Sequence, residues 1–107
     1  MPSHFEPCGL NQLIAMNYGA MPIVNHVGGL VDTVQNFEKF DSASKKGYGL
    51  YFKKIKSRSF LHTLKKAFEI YEDKKEFNKI IKHNMKCDFS WEFSAKEYIK
   101  LYKSIAK

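Results

Sequence analysis

The sequence has 107 residues and a formal net charge of +7, with 44% hydrophobic and 15% aromatic residues. That length implies a single domain, and that composition supports a packed core and excludes a disordered tail. No apolar run approaches the about 20 residues that cross a bilayer, the N-terminus lacks the charged and apolar regions of a secretory signal, and two cysteines, Cys8 and Cys87, are too few for a disulfide framework or a metal cluster.

A reducing cytoplasm is the expected compartment. Of the 18 basic residues only Arg58 is an arginine, and the lysines of the second half are interleaved with Glu69, Glu72, Glu76 and Glu97. Nucleic-acid readers favour the planar arginine fork, so this pattern reads as solvated helix faces and not as a specific nucleic-acid surface.

In chain order, Leu10 to Tyr18 reads as a helix that Gly19 caps in a left-handed conformation. Pro22-Ile23-Val24 has the short β-branched character of a buried parallel strand, and His26-Val27-Gly28-Gly29 is a glycine turn. Leu30 to Gln35 reads as a short helix, Phe37 to Lys46 as a polar loop, and Gly47 to Phe52 as a second strand. From Ser59 the period becomes helical, and Phe60, Leu64, Ala67, Phe68 and Tyr71 form an apolar stripe expected to be core.

Two capping boxes are expected, Asp73 with Glu76 and Ser94 with Glu97, each opening an amphipathic helix. The first turns Phe77, Ile80 and Ile81 inward; the second turns Tyr98, Tyr102 and Ile105 inward, with Asp88 to Trp91 bending the chain between them and Trp91 expected to anchor the C-terminal helices to the core. His62 and His83 are read as surface residues. The fold class is α/β, with short parallel strands and about five helices. Two strands are too few for independent stability, so the chain is expected to be part of a larger doubly wound domain.

The chemistry concentrates in Glu6-Pro7-Cys8-Gly9-Leu10-Asn11, where a glycine turn meets a helix start. Free N–H groups and the helix dipole there suit a phosphate, Gly9 admits a ligand close to the backbone, and Glu6 can accept hydrogen bonds from sugar hydroxyls. From spacing alone, a plain helix entry with an exposed glutamate remains the commoner explanation. Cys8 reads as a small pocket-lining residue, because no activating base other than His4 is evident.

Met1-Pro2-Ser3-His4-Phe5-Glu6-Pro7-Cys8-Gly9-Leu10-Asn11-Gln12 closely resembles the Pro-Ser-Arg-Phe-Glu-Pro-Cys-Gly-Leu stretch of bacterial glycogen synthases and plant starch synthases, retaining glycosyltransferases of family 5. Three further stretches resemble that family in the same order: Gly28 to Val34, Gly47 to Phe52, and Asp88 to Trp91 followed by Ser94, Ala95 and Tyr98. His4 stands where an arginine is usual, Val27 where a threonine is usual, and Leu50 where a phenylalanine is common.

The resemblance implies a two-domain GT-B enzyme, with residues 1–107 forming the C-terminal portion of its Rossmann-like nucleotide-sugar-binding domain. It implies glucose transfer from ADP-glucose, or UDP-glucose, to the non-reducing end of an α-1,4-glucan with retention, and no metal or other cofactor. On the matching positions it makes Glu6 the catalytic residue, Cys8 and Gly9 lining of the glucose pocket, and Leu10 and Asn11 donors of backbone N–H groups to the diphosphate; Gly28 and Gly29 are assigned structure before binding.

Leaving ADP gains negative charge that fixed N–H dipoles favour, while a carboxylate favours positive character on the ring. Ile14 stands eight residues after Glu6, where many related retaining transferases carry a second glutamate, so this loop does not offer a two-carboxylate mechanism. The family's Lys-x-Gly-Gly-Leu donor motif and its phosphate-holding arginine and lysine are not found in these residues, and the chain alone is expected to be inactive. Two alternatives follow: a non-catalytic module for a nucleotide sugar or polyanion, and a structural piece that self-associates through an exposed sheet edge.

Overall fold

A computed structural model describes residues 1–106. The elements run α1 (Asn11–Asn17), β1 (Ile23–Asn25), α2 (Gly29–Thr33), β2 (Val34–Asn36), β3 (Gly47–Phe52), α3 (Ser57–Glu72), α4 (Lys74–Asn84) and α5 (Trp91–Ile105). The expected α/β class, parallel pairing and five helices are all present.

The sheet has three strands in the order β1-β3-β2, not two. β1 pairs with the second half of β3, Ile23 opposite Leu50, and β2 with its first half, Val34 opposite Gly47. β2 takes Val34 and Gln35, assigned above to a short helix, together with Asn36. Helix α2 stops at Thr33 after five residues and Val34 turns extended. Parallel pairing with β3 outweighs the weak helical preference of so short a segment, and Phe37 prolongs the ladder by donating to the carbonyl of Gly49 at 2.8 Å.

β3 is the centre, and its side chains alternate between two cores. On one face Met16, Val24, Leu30 and Val34 form a cluster between the sheet and helices α1 and α2, with Tyr51 packed against it. On the other, Tyr48 and Leu50 join Phe37 and Ile80, with Ala67 and Ile70 of α3 packed against them. Burial on both faces is what a parallel sheet requires. The 37–46 loop is less polar in effect than expected, because Phe37 and Phe40 pack on Tyr48, ring centroids 5.5 and 5.8 Å apart.

Helix boundaries follow their caps. After α1, Ala20 donates to the carbonyl of Ala15 and Gly19 to that of Met16, with Gly19 left-handed at φ 79°, a Schellman ending. Asp73 caps α4 by accepting from the Glu76 amide at 3.0 Å, half of the expected box; the Glu76 carboxylate pairs with Lys79 and the Asp73 amide donates to the Glu69 carbonyl. The Ser94–Glu97 box does not form. Ser90 is the cap of α5, accepting from the Phe93 amide at 3.2 Å, so Ser94 lies inside the first turn and Glu97 pairs instead with Lys100. Ser90 itself is held by Asp88, whose carboxylate accepts from its amide at 2.9 Å. That nearer serine won the competition for the helix start.

Three packing expectations are corrected. Trp91 is 84% exposed and does not anchor the C-terminal helices to the core. Helix α5 has no buried residue, and Tyr98, Tyr102 and Ile105 are all exposed. The apolar stripe of α3 is only partly core: Leu64, Ala67, Phe68 and Tyr71 line an open groove of about 350 Å³ with Ala20, Met21 and Phe77. The radius of gyration, 15.4 Å against about 13 Å for a compact chain of this length, reflects the outlying α5. His83, expected at the surface, is half-buried beside Tyr48 and Phe40, and its Nε2 lies 3.0 Å from the Lys46 carbonyl.

Candidate functional site

Residues 1–10 cross the ends of β1 and α2 without regular structure, and hydrogen bonds to those elements fix them. The Met1 ammonium donates to the carbonyl of Ile23 at 2.7 Å, and the Asn25 amide donates to the carbonyl of Met1 at 2.9 Å. The buried Asn25 side chain then donates to the carbonyl of Ser3 at 2.8 Å. Ser3 in turn donates its hydroxyl to a Glu6 carboxylate oxygen at 3.1 Å, and the Glu6 carbonyl accepts from the Gly29 amide at 3.0 Å.

The last contact explains Gly28 and Gly29. A Cβ at Gly28 would lie 1.9 Å from the Glu6 carbonyl oxygen, and one at Gly29 would lie 2.3 Å from that of Cys8. Gly28 also has φ 51°, where a side chain is strained. The two glycines bring their backbone flush against the backbone of residues 6–8 and contribute no side chain to a ligand site, which supports their structural assignment.

The five residues singled out in sequence lie together on one turn. Glu6 and Gly9 are half-buried; Cys8, Leu10 and Asn11 are exposed. Gly9 is left-handed at φ 74°. Among the described residues, no backbone carbonyl accepts from the N–H groups of Gly9, Leu10 or Asn11, so the turn that Glu6 opens carries a run of donors without backbone acceptors. Helix α1 has only seven residues, and its dipole adds less than a long helix would; the donors of the turn itself dominate.

One residue of this site escaped sequence reasoning. Gln12 is fully buried, and its Nε2 lies 3.2 Å from the Cys8 carbonyl, 3.0 Å from the Gly9 carbonyl and 3.1 Å from the Thr33 hydroxyl. The available signal was its spacing: three and four residues after Gly9 and Cys8, at the first turn of a helix, an amide can reach back to those carbonyls.

No protein-family model matches the chain. Its fold superposes on the catalytic domain of starch synthase IV from Arabidopsis thaliana bound to ADP and acarbose, with a TM-score of 0.81 and 38% identity, over 96% of this chain and 21% of that one. In fold and sequence, this chain is similar to a stretch of that α/β catalytic domain.

The relatives narrow the class. The glycogen synthase of Finegoldia magna is 50% identical over 107 residues, the whole of this chain. That of Alkaliphilus metalliredigens is 48% identical over 105 residues, 98% of this chain. Along its whole length the chain is a homologue of the glycogen and starch synthases, and it spans 22% of the length of these two glycogen synthases.

Proposed function

We propose that this chain forms part of the donor-side wall of a glucan synthase, which transfers glucose from ADP-glucose, or UDP-glucose, to the non-reducing end of an α-1,4-glucan with retention. In that reading, residues 1–107 are the C-terminal portion of the nucleotide-sugar-binding domain of a two-domain GT-B enzyme working in the cytoplasm. The observation that carries it is the 6–11 turn, where the N–H groups of Gly9, Leu10 and Asn11 have no backbone acceptor among the described residues and half-buried Glu6 opens the same turn. Support comes from the glycogen synthase relatives and from the ADP held by the starch synthase neighbour.

The roles follow from the chemistry. The bond from the glucose anomeric carbon to the diphosphate breaks, and one to the acceptor hydroxyl forms. The N–H groups of Leu10 and Asn11 stabilise the negative charge gathering on the ADP oxygens. Cys8 and Gly9 line the glucose pocket, small enough to let the ring approach. Glu6 holds glucose hydroxyls and favours the positive character of the ring, acting through orientation and charge and not as a nucleophile. The 107 residues alone do not turn over, because the acceptor and the opposite wall of the cleft have no counterpart in them.

The test exchanges this chain for the homologous segment of the Finegoldia magna glycogen synthase. The chimera is expected to transfer glucose from ADP-glucose to glycogen, and Glu6→Ala to reduce transfer by about 100-fold or more while leaving its thermal unfolding unchanged. An active Glu6→Ala chimera would overturn the role of Glu6. Turnover by the isolated chain would overturn its inactivity, and an inactive chimera alongside tight ADP binding by the isolated chain would favour a non-catalytic module.

A further inference from the structure

We propose that Gln12 is a positioning residue that, through Thr33, clamps the 6–9 turn against the Gly28-Gly29 turn and so aims the turn's N–H groups outward; this rests on the reading of that turn as the donor site. The bonds close a ring. The Gly29 amide donates to the Glu6 carbonyl at 3.0 Å, the Thr33 hydroxyl donates to the Gly29 carbonyl at 2.9 Å, and the two hydrogens of Gln12 Nε2 are divided among the Thr33 hydroxyl and the carbonyls of Cys8 and Gly9, one of them shared.

The consequence for the site follows from peptide geometry. The peptide bonds are trans, so each carbonyl points opposite to the N–H of the next residue. Drawing the Cys8 and Gly9 carbonyls inward onto Gln12 turns the N–H groups of Gly9 and Leu10 to the other side, where no backbone carbonyl among the described residues claims them. The second sign is the other end of the same amide. Gln12 Oε1 is buried without a hydrogen-bond partner among the described residues, an arrangement an apolar residue would avoid. A glutamine at a fully buried position is accounted for by what its Nε2 holds, since three acceptors converge on it.

Amide hydrogen exchange in the full chain tests the clamp. Gln12→Met and Thr33→Val are expected to speed exchange at the Gly29 amide by about tenfold or more, while Thr33→Ser, which keeps the hydroxyl, retains the protection. The Tyr48 amide, on the far core, is expected to stay protected in all three. Unchanged Gly29 protection, or equal loss at Gly29 and Tyr48, would show that Gln12 merely fills space. The serine–valine pair decides the matter should Gln12→Met fail to fold. In the chimera, Gln12→Met is expected to raise the KM for ADP-glucose by about tenfold with the KM for glycogen unchanged; equal effects on both would overturn a donor-specific role. An inactive parent chimera would count against the donor-site reading itself, with the exchange result still judging the clamp.

Discussion

The side chain of Asn84 holds both backbone groups of Tyr48: its Oδ1 accepts from the Tyr48 amide at 2.7 Å, and its Nδ2 donates to the Tyr48 carbonyl at 2.8 Å. Both residues are fully buried. The last turn of α4 is thereby bonded to β3 as a neighbouring strand would be. Asn84→Ala leaves a buried N–H and a buried carbonyl without partners, and is expected to cost about 2–4 kcal/mol. Urea unfolding of the two chains measures it; a loss below about 0.5 kcal/mol would mean that water replaces the amide.

Gly28→Ala and Gly29→Ala are each expected to push residues 6–8 off the end of the sheet, because the added carbon meets backbone that has nowhere to move. Gly28→Ala adds the strain of a left-handed alanine and is expected to be the worse of the two, about 1–3 kcal/mol from that source alone. Differential scanning calorimetry ranks them. In the chimera both are expected to raise the KM for ADP-glucose, since the turn they support carries the proposed donor contacts.

The two cysteines are expected to differ in reactivity. Cys8 is exposed on the turn. Cys87 is half-buried, its Sγ 3.5 Å from the His83 carbonyl, and burial pushes its thiol pKa up. Less thiolate and less access both slow it. Iodoacetamide at pH 7.5 followed by mass spectrometry should modify Cys8 first, by about tenfold, with Cys87 gaining on it as the pH is raised.

The start of α5 is expected to loosen in acid. Hydrogen bonds from Ser90 hold the Asp88 carboxyl below the usual aspartate range, with a smaller pull from Lys96. A carboxyl whose pKa is depressed by folding stabilises the folded state above its ordinary value, about 4, and that contribution fades as pH falls through the lower folded value. Helicity at 222 nm is therefore expected to decline between about pH 4 and pH 2, and Asp88→Asn to remove part of that decline. Ser90→Ala, which deletes the cap and the hydroxyl bond to Asp88, is expected to cost about 1 kcal/mol near neutral pH and less in acid. A pH profile identical in Asp88→Asn would show that Asp88 does not tie α5 down.

How far the sequence reached varies element by element. The Glu6–Asn11 turn was legible because its residues are contiguous, and the four ordered stretches make the family resemblance specific without tertiary information. Strand β3 and helix α4 were legible because their side-chain periods match their burial. The Ser94–Glu97 box misled because Ser90, four residues earlier and steadied by Asp88, offers an equally good cap. Strand β2 was missed because three residues carry too little local preference, and only pairing with β3 makes them extended.

The sequence by itself determined which residues make up the Glu6–Asn11 turn and which segments are helical, since both are written in near-neighbour spacing. Only the tertiary structure decided how that turn is held and which apolar faces are covered. Gln12 meets Thr33 across 21 positions and Asn84 meets Tyr48 across 36, distances over which no period in the chain carries information. The apolar faces of α3 and α5 look inward by pattern, yet a pattern records only that a face is apolar, not that this chain supplies its cover; Trp91 is exposed and the α3 stripe lines a groove. The Glu6–Asn11 turn owes its residues to local sequence and its shape to glycines and an amide that folding brings beneath it.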